Sequence, residues 1–186
     1  MNWRERFSFL KKALGSSKEV GAITMSSHYV VEDVLAMLPK NFSTVVEYGA
    51  GDGVMTRALL EKLPVSGKML AIESNESFVL ELGRINDSRL TIMQNLVQHM
   101  TSEDMALYSS ADVVVSSIPF SFLSPAERTK VVSEVFNLLA PGGLCIIFHQ
   151  YSWLMKKPLQ DIFGTVSMKF EPRNFPPCFI LCAKKL

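Results

Sequence analysis

A chain of 186 residues that is 48% apolar, with 12 Phe and 10 Met, suits one domain with a substantial core and is not a disordered composition. No apolar run approaches the roughly 18 to 20 residues that span a bilayer, and three cysteines without a CxxC pair argue against a disulfide framework or a zinc site. The net charge of +1 is uneven: residues 1–20 hold five Lys/Arg against two Asp/Glu, 151–186 hold six against two, and the acidic centre does not suit a broad nucleic-acid footprint.

The segment 2–14 places Trp3, Phe7, Leu10 and Leu14 at helical spacing among Arg4, Arg6, Lys11 and Lys12. Its charged start lacks the apolar centre of a signal peptide, so the expected address is cytoplasmic. A second helix is predicted over 26–38, capped by Ser26 or Ser27 and followed by Pro39. Strand and helix then alternate: strand 43–48, helix 54–63, strand 68–73, helix 75–85, strand 89–95. A strand at 111–118 is an unbroken Val run, the mark of cover on both faces. A helix over 124–140 carries Pro125 in its first turn and a Pro-Gly-Gly stop at 141–143, ahead of a strand at 144–150. A short helix at 154–163 containing Pro158 and two strands, 165–171 and 178–184, complete the order.

This alternation predicts an α/β fold: a doubly wound, Rossmann-like, seven-stranded and mostly parallel sheet, with an antiparallel last strand and N-terminal helices. The final two strands are joined by six residues, too few for a crossover helix, which requires antiparallel pairing. Residues 1–40 are expected to form an N-terminal helical segment and 41–186 the sheet domain.

The strand–glycine turn–helix "VVEYGAGDGVMT" (45–56) reads as a nucleotide-type site. It is not a dinucleotide fingerprint, because the third glycine falls at 53 and position 54 is Val54. It is not a phosphate loop, because no Lys-Ser/Thr follows the glycines. Glu73 ends the second strand 20 residues after Gly53, where a carboxylate can take both hydroxyls of a ribose. Nicotinamide and S-adenosylmethionine sites share that placement.

"SSIPF" (116–120) ends the fourth strand. It resembles motif IV of the class I S-adenosylmethionine-dependent methyltransferases, in the subset that methylates amine nitrogen; the GxGxG turn, Glu73 and the strand order are similar too. The resemblance implies S-adenosylmethionine as cofactor. It implies cofactor contacts from the turn residues Glu47, Tyr48, Gly49, Ala50, Gly51 and Gly53. Glu73 and Ser74 follow the second strand, Asn95 and Leu96 meet the adenine, and Ser116 faces the methyl donor. Ser26 and Ser27 complete the set from an N-terminal lid. Ser117, Pro119 and Phe120 are the expected catalytic residues at the gate, Phe120 offering a ring face to an ammonium.

Among such enzymes the chain resembles the bacterial phospholipid N-methyltransferases, of phosphatidylethanolamine or ornithine-lipid type. The similar stretches are 9–30, "VVSSIPFS" (114–121), "FHQYS" (148–152) and "NFPPCFILCAKK" (174–185). Met25 departs from the usual proline, and Asn95 from the commoner Asp. The ribosomal RNA adenine dimethylases are a more distant resemblance: they carry an extra C-terminal helical domain and a basic face. An RNA adenine or a small soluble amine is the alternative acceptor. The lipid resemblance places Tyr151 against the substrate as a catalytic residue, beside Phe120, with Lys156 and Arg173 near the lipid phosphate. The expected partner is lipid at an anionic membrane surface, met peripherally by the basic, apolar segment 2–14; no obligate protein partner is implied. His28, His99 and His149 lack ligand spacing, so no metal is expected.

Overall fold

The computed structural model describes residues 26–101 and 103–186; the stretch 2–14 lies outside them, as does most of the segment 1–40. Helix α1 (His28–Met37) precedes β1 (Thr44–Tyr48), α2 (Val54–Lys62), β2 (Lys68–Glu73), α3 (Glu76–Leu82) and β3 (Leu90–Gln94). Then come β4 (Ala111–Ser116), α4 (Pro125–Leu138), β5 (Leu139–His149), α5 (Lys156–Phe163), β6 (Val166–Glu171) and β7 (Cys178–Lys184). The strands form one sheet in the order β3-β2-β1-β4-β5-β7-β6. Neighbours from β3 through β5 pair in parallel, and β7 runs antiparallel to both β5 and β6.

Side chains alternate across the sheet with the strand period of two. Val45, Met69, Val113, Val115, Ile146 and Ile180 face α1 and α2. Val46, Leu70, Val114, Ile147 and Leu181 face α4 and α5. Both faces are covered, which is why β1 and β4 read as continuous apolar runs rather than alternating ones. At α4 the entering chain supplies a capping box: Ser124 Oγ accepts from Glu127 N at 3.3 Å, and the Glu127 carboxylate accepts from Ser124 N at 2.7 Å.

The Pro-Gly-Gly at 141–143 does not separate helix from strand. Helix α4 passes directly into β5 at Leu139, and the glycines lie inside the strand at a register break between the Ala111 and Val113 pairings. Gly142 N–H reaches Lys185 O at 2.7 Å and Lys185 N–H returns to Gly143 O at 2.9 Å, so the segment is hydrogen-bonded as an irregular strand rather than left as a loop. The Val run also ends sooner than expected, at Ser116, where the chain turns away from the sheet.

Helix α1 is tied to the β6–β7 end of the sheet. Asp33 pairs with Lys169 at 2.5 Å, Ser27 N–H donates to Asn174 Oδ1 at 3.0 Å, and the Arg173 guanidinium lies 4.1 Å over the Tyr29 ring. Arg173 also grips Glu171 with two bonds of 2.7 and 2.6 Å. Two of its nitrogens are thus engaged with Glu171 of β6 and its face with Tyr29 of α1, so the side chain expected near a lipid phosphate also joins α1 to the sheet edge. Among the described residues no helix is long and apolar enough to cross a membrane.

Candidate functional site

The strand order reverses direction between β1 and β4, and the carboxyl ends of open α/β sheets form a crevice at such a point. The residues singled out by sequence converge there: the glycine turn after β1, Glu73 ending β2, Asn95 after β3, the stretch 116–120 after β4, and Tyr151 after β5.

The turn is bonded on both sides. Gly49 N–H donates to Ile72 O at 2.8 Å, Ser117 N–H to Tyr48 O at 3.0 Å, and the Ser117 hydroxyl to Gly49 O at 2.7 Å. Gly49, Gly51 and Gly53 have φ of +82°, +55° and +80°, a region most residues avoid. Their surroundings differ. A Cβ on Gly49 would lie 3.0 Å from Ile118, and one on Gly53 2.9 Å from Leu82, so both sites are packed against neighbours. A Cβ on Gly51 would meet nothing within 4 Å. Gly51 therefore presents bare backbone to open space.

Glu73 closes the floor of this cradle. Its Oε2 accepts from Gly51 N at 2.9 Å, and its Oε1 accepts from Ser74 N and Asn75 N at 2.8 Å each. A carboxylate has about four acceptor positions, so one remains open, on Oε2. Asn95 Oδ1 is turned back onto Leu96 N at 2.8 Å, which leaves its amide nitrogen as a donor. Ser116 Oγ is buried and unpartnered.

A profile of the methyltransferase domain family matches residues 45–143, more than half of the chain and the whole span from the glycine turn to β5. The chain belongs to this family. An ornithine lipid N-methyltransferase from Singulisphaera acidiphila is 24% identical over 94% of this chain and 93% of its own length. A ubiquinone/menaquinone biosynthesis C-methyltransferase from Hydrogenovibrio crunogenus is 22% identical over 70% of this chain and 51% of its own length. In structure, a magnesium protoporphyrin IX methyltransferase from Synechocystis with bound S-adenosylmethionine superposes with a TM-score of 0.67 at 16% identity, covering 97% of this chain and 91% of the other. The expected fold and cofactor class hold: this is a class I, S-adenosylmethionine-dependent methyltransferase.

The site's residues fit such a ligand. Gly51 offers an unfilled cradle, Oε2 of Glu73 keeps an acceptor position for a ribose hydroxyl, and Ser116 Oγ is an orphan in want of a partner. Three expected contacts are corrected. The Tyr48 ring is 3% exposed and packs in the core on the α4 side, so only its backbone serves the turn. Phe120 is fully buried in that same core, its carbonyl accepting from Arg128 Nε at 2.9 Å; its ring anchors the gate and offers no face to an amine. Glu47 is 2% exposed and accepts the Thr56 hydroxyl at 2.6 Å, which pins the first turn of α2 against β1 from behind the glycines.

Of the other assigned residues, Ala50 is buried and Pro119 leads into the 3-10 turn Phe120–Phe122. Ser27 is the N-cap residue of α1, yet its hydroxyl makes no cap and is buried without a partner. Ser26 is half-buried; Tyr151 and Lys156 are exposed on the rim. Thr56 escaped sequence reading, although a hydroxyl nine residues after a buried acid, in the first turn of the following helix, is a usable signal.

Burial pushes the Glu47 carboxyl up to about 8, with Glu73 and Asp52 adding to the effect and the Thr56 bond opposing it. The folded state therefore holds a proton that the unfolded state releases between about 4.5 and 8, and stability falls as pH rises through that window. His149 acts in the opposite sense, its folded value near 4 lying below its ordinary 6.5, so the span above 6.5 isolates Glu47. Thermal melts should show a loss of midpoint temperature from pH 6.5 to 8 that Glu47→Gln flattens. The glycines separate stability from binding. Gly53→Ala, with backbone strain and clashes, should lower the urea midpoint clearly. Gly51→Ala should cost about 1 kcal/mol from its backbone conformation yet weaken S-adenosylmethionine binding at least about tenfold by calorimetry, because the methyl group fills the cradle.

Proposed function

We propose that the protein transfers methyl groups from S-adenosylmethionine to the amine of a phospholipid or amino-lipid headgroup. The observation that carries this reading is the end-to-end similarity to an ornithine lipid N-methyltransferase, which includes the β5–β7 half of the sheet beyond the family's matched span. The surface of that half supports it. Tyr151, Trp153, Phe170 and Phe175 are 48%, 50%, 51% and 88% exposed, and all four belong to the rim segments after β5 and around the end of β6. Exposed aromatic rings on one rim, Tyr151 and Trp153 with a polar atom each and Phe170 and Phe175 wholly apolar, suit a membrane–water boundary. Lys156 stands among them as a cation for an anionic surface.

The cofactor supplies an electrophilic methyl group when bound. The chain's own residues have two tasks. The first is positioning: Ser117, bonded through its backbone and hydroxyl to the glycine turn, holds the gate at 116–120 against the cofactor cradle. The second is handling of the amine, which as a free primary ammonium titrates near 10.4, taking Lys as reference. The gate is backed by Phe120, Leu123 and Met155, all buried. An apolar environment disfavours the charged ammonium, lowers its pKa and exposes the lone pair needed for attack. Tyr151, exposed in the turn that follows β5, is the side chain we assign to the amine.

Vesicles containing phosphatidylethanolamine or ornithine lipid, incubated with methyl-labelled S-adenosylmethionine, should yield label in the lipid extract. Label in RNA or in a soluble amine, with none in lipid, would overturn the reading in favour of that acceptor. Tyr151→Phe should keep cofactor affinity and lose turnover by about tenfold or more, the scale of one lost hydrogen bond to a charged group.

A further inference from the structure

His149 ends β5 at the rim, in the half of the crevice that the cofactor-binding turn does not reach. Its Nδ1 accepts from Tyr151 N–H at 3.4 Å. Its Nε2 is buried and has no hydrogen-bond partner. Burial holds the imidazole's pKa down to about 4, so the ring is neutral at physiological pH. With the lone pair on Nδ1 turned to Tyr151, the single ring proton sits on Nε2. The side chain is thus a fixed N–H donor with no acceptor, a state folded proteins seldom keep without a reason. It is a poor proton acceptor for the same reasons, so the general-base role does not suit it.

Its surroundings point to what it could hold. The last β4–β5 pair is Ser116 with Ile147, so His149 stands two residues further on, on the face shared by Ile147 and Phe120, level with the gate. On its other side it pairs with Phe179 of β7, which pairs in turn with Phe170 of β6, the two rings 5.0 Å apart. A row of His149, Phe179 and Phe170 therefore crosses the sheet from the gate to the exposed edge strand, with one polar hydrogen in an apolar wall.

We propose that Nε2–H of His149 binds an anionic oxygen of the acceptor headgroup and so fixes the amine at the gate. The inference rests on the lipid-amine reading above. A zwitterionic amino-lipid carries such an oxygen a few bonds from its amine, as a phosphodiester oxygen or as a free carboxylate. An N–H donor in apolar surroundings forms its strongest bond with a charged acceptor. The ring is then a specificity-determining contact: it selects amines with a neighbouring oxyanion over plain alkylamines.

The test uses the full chain and three vesicle-borne acceptors: phosphatidylethanolamine, ornithine lipid and a long-chain primary alkylamine. His149→Phe removes the donor. His149→Gln restores an N–H near the Nε2 position. For the zwitterionic lipids, His149→Phe should raise KM by about tenfold or more with kcat little changed, and His149→Gln should recover most of the loss. KM for the alkylamine should be the same in all three proteins. An effect on only one zwitterionic lipid identifies the oxyanion as phosphate or carboxylate. Equal effects on all three acceptors, no effect on any, or failure of Gln to rescue would overturn the proposal. A binding readout stands apart from turnover. With S-adenosylhomocysteine present, soluble phosphoethanolamine or ornithine should move the His149 ring-proton resonance downfield in the native protein. An unmoved resonance counts against the oxyanion contact even if lipids are methylated. Absence of lipid methylation alongside a moved resonance would instead sink the lipid reading and leave this contact standing.

Discussion

Two bonds from Ser117, one from its backbone to Tyr48 O and one from its hydroxyl to Gly49 O, hold together the ends of β1 and β4. These strands are neighbours in the sheet, but Gly49 and Ser117 are 68 residues apart in the chain, and the segments that follow diverge to opposite faces. The tie extends the β1–β4 ladder, whose last pair is Tyr48 with Ser116, one residue further into the crevice. With it, the glycine turn and the gate move as one body, and the packing of Gly49 against Ile118 removes the space in which they could slide. Glu73 performs the matching task on the other side, gathering three backbone N–H groups from Gly51, Ser74 and Asn75 onto one carboxylate. Charge-assisted bonds of this kind are stronger than their neutral counterparts, so the cradle is shaped before any ligand arrives.

Much of this was legible in the sequence because it is carried by local pattern. Unbroken Val runs reported buried strands, the spacing of Gly49, Gly51 and Gly53 reported a turn with positive φ, and six residues between the last strands forced β7 to run back. Side-chain destinations were less legible. Phe120 follows a proline at a strand end, a place equally suited to lining a pocket or plugging a core; only the packing of α4 and α5 decides, and it chooses the core. Arg173 reads as a surface cation until Glu171 and Tyr29 are seen beside it, one two residues away and the other 144. The Pro-Gly-Gly segment looked like a stop because its residues break helices. Its hydrogen bonds to Lys185, at the far end of the chain, keep it in the sheet.

Buried polar groups carry the information that composition could not. Glu47 and His149 are both removed from water, yet burial moves them in opposite directions, keeping the acid protonated and the imidazole unprotonated. Both end up neutral near pH 7. The first is satisfied by Thr56 and serves the fold. The second is left with a spare hydrogen beside the gate. That difference in partnering, rather than residue type, separates a packing role from a recognition role.

The reversal of β7 has a consequence for how such a protein can diverge. Because β7 runs back, the connection from β6 emerges on the same edge as the ends of β4 and β5, where Asn174 Oδ1 accepts from Ser27 N–H at the start of α1. The glycine turn, Glu73 and Asn95 follow β1, β2 and β3, while the ends of the β5–β7 flank border the other half of the crevice. The seam between β1 and β4 divides the two. On the lipid-amine reading, a change confined to one flank alters which nucleophile is accepted and leaves the donor's side untouched.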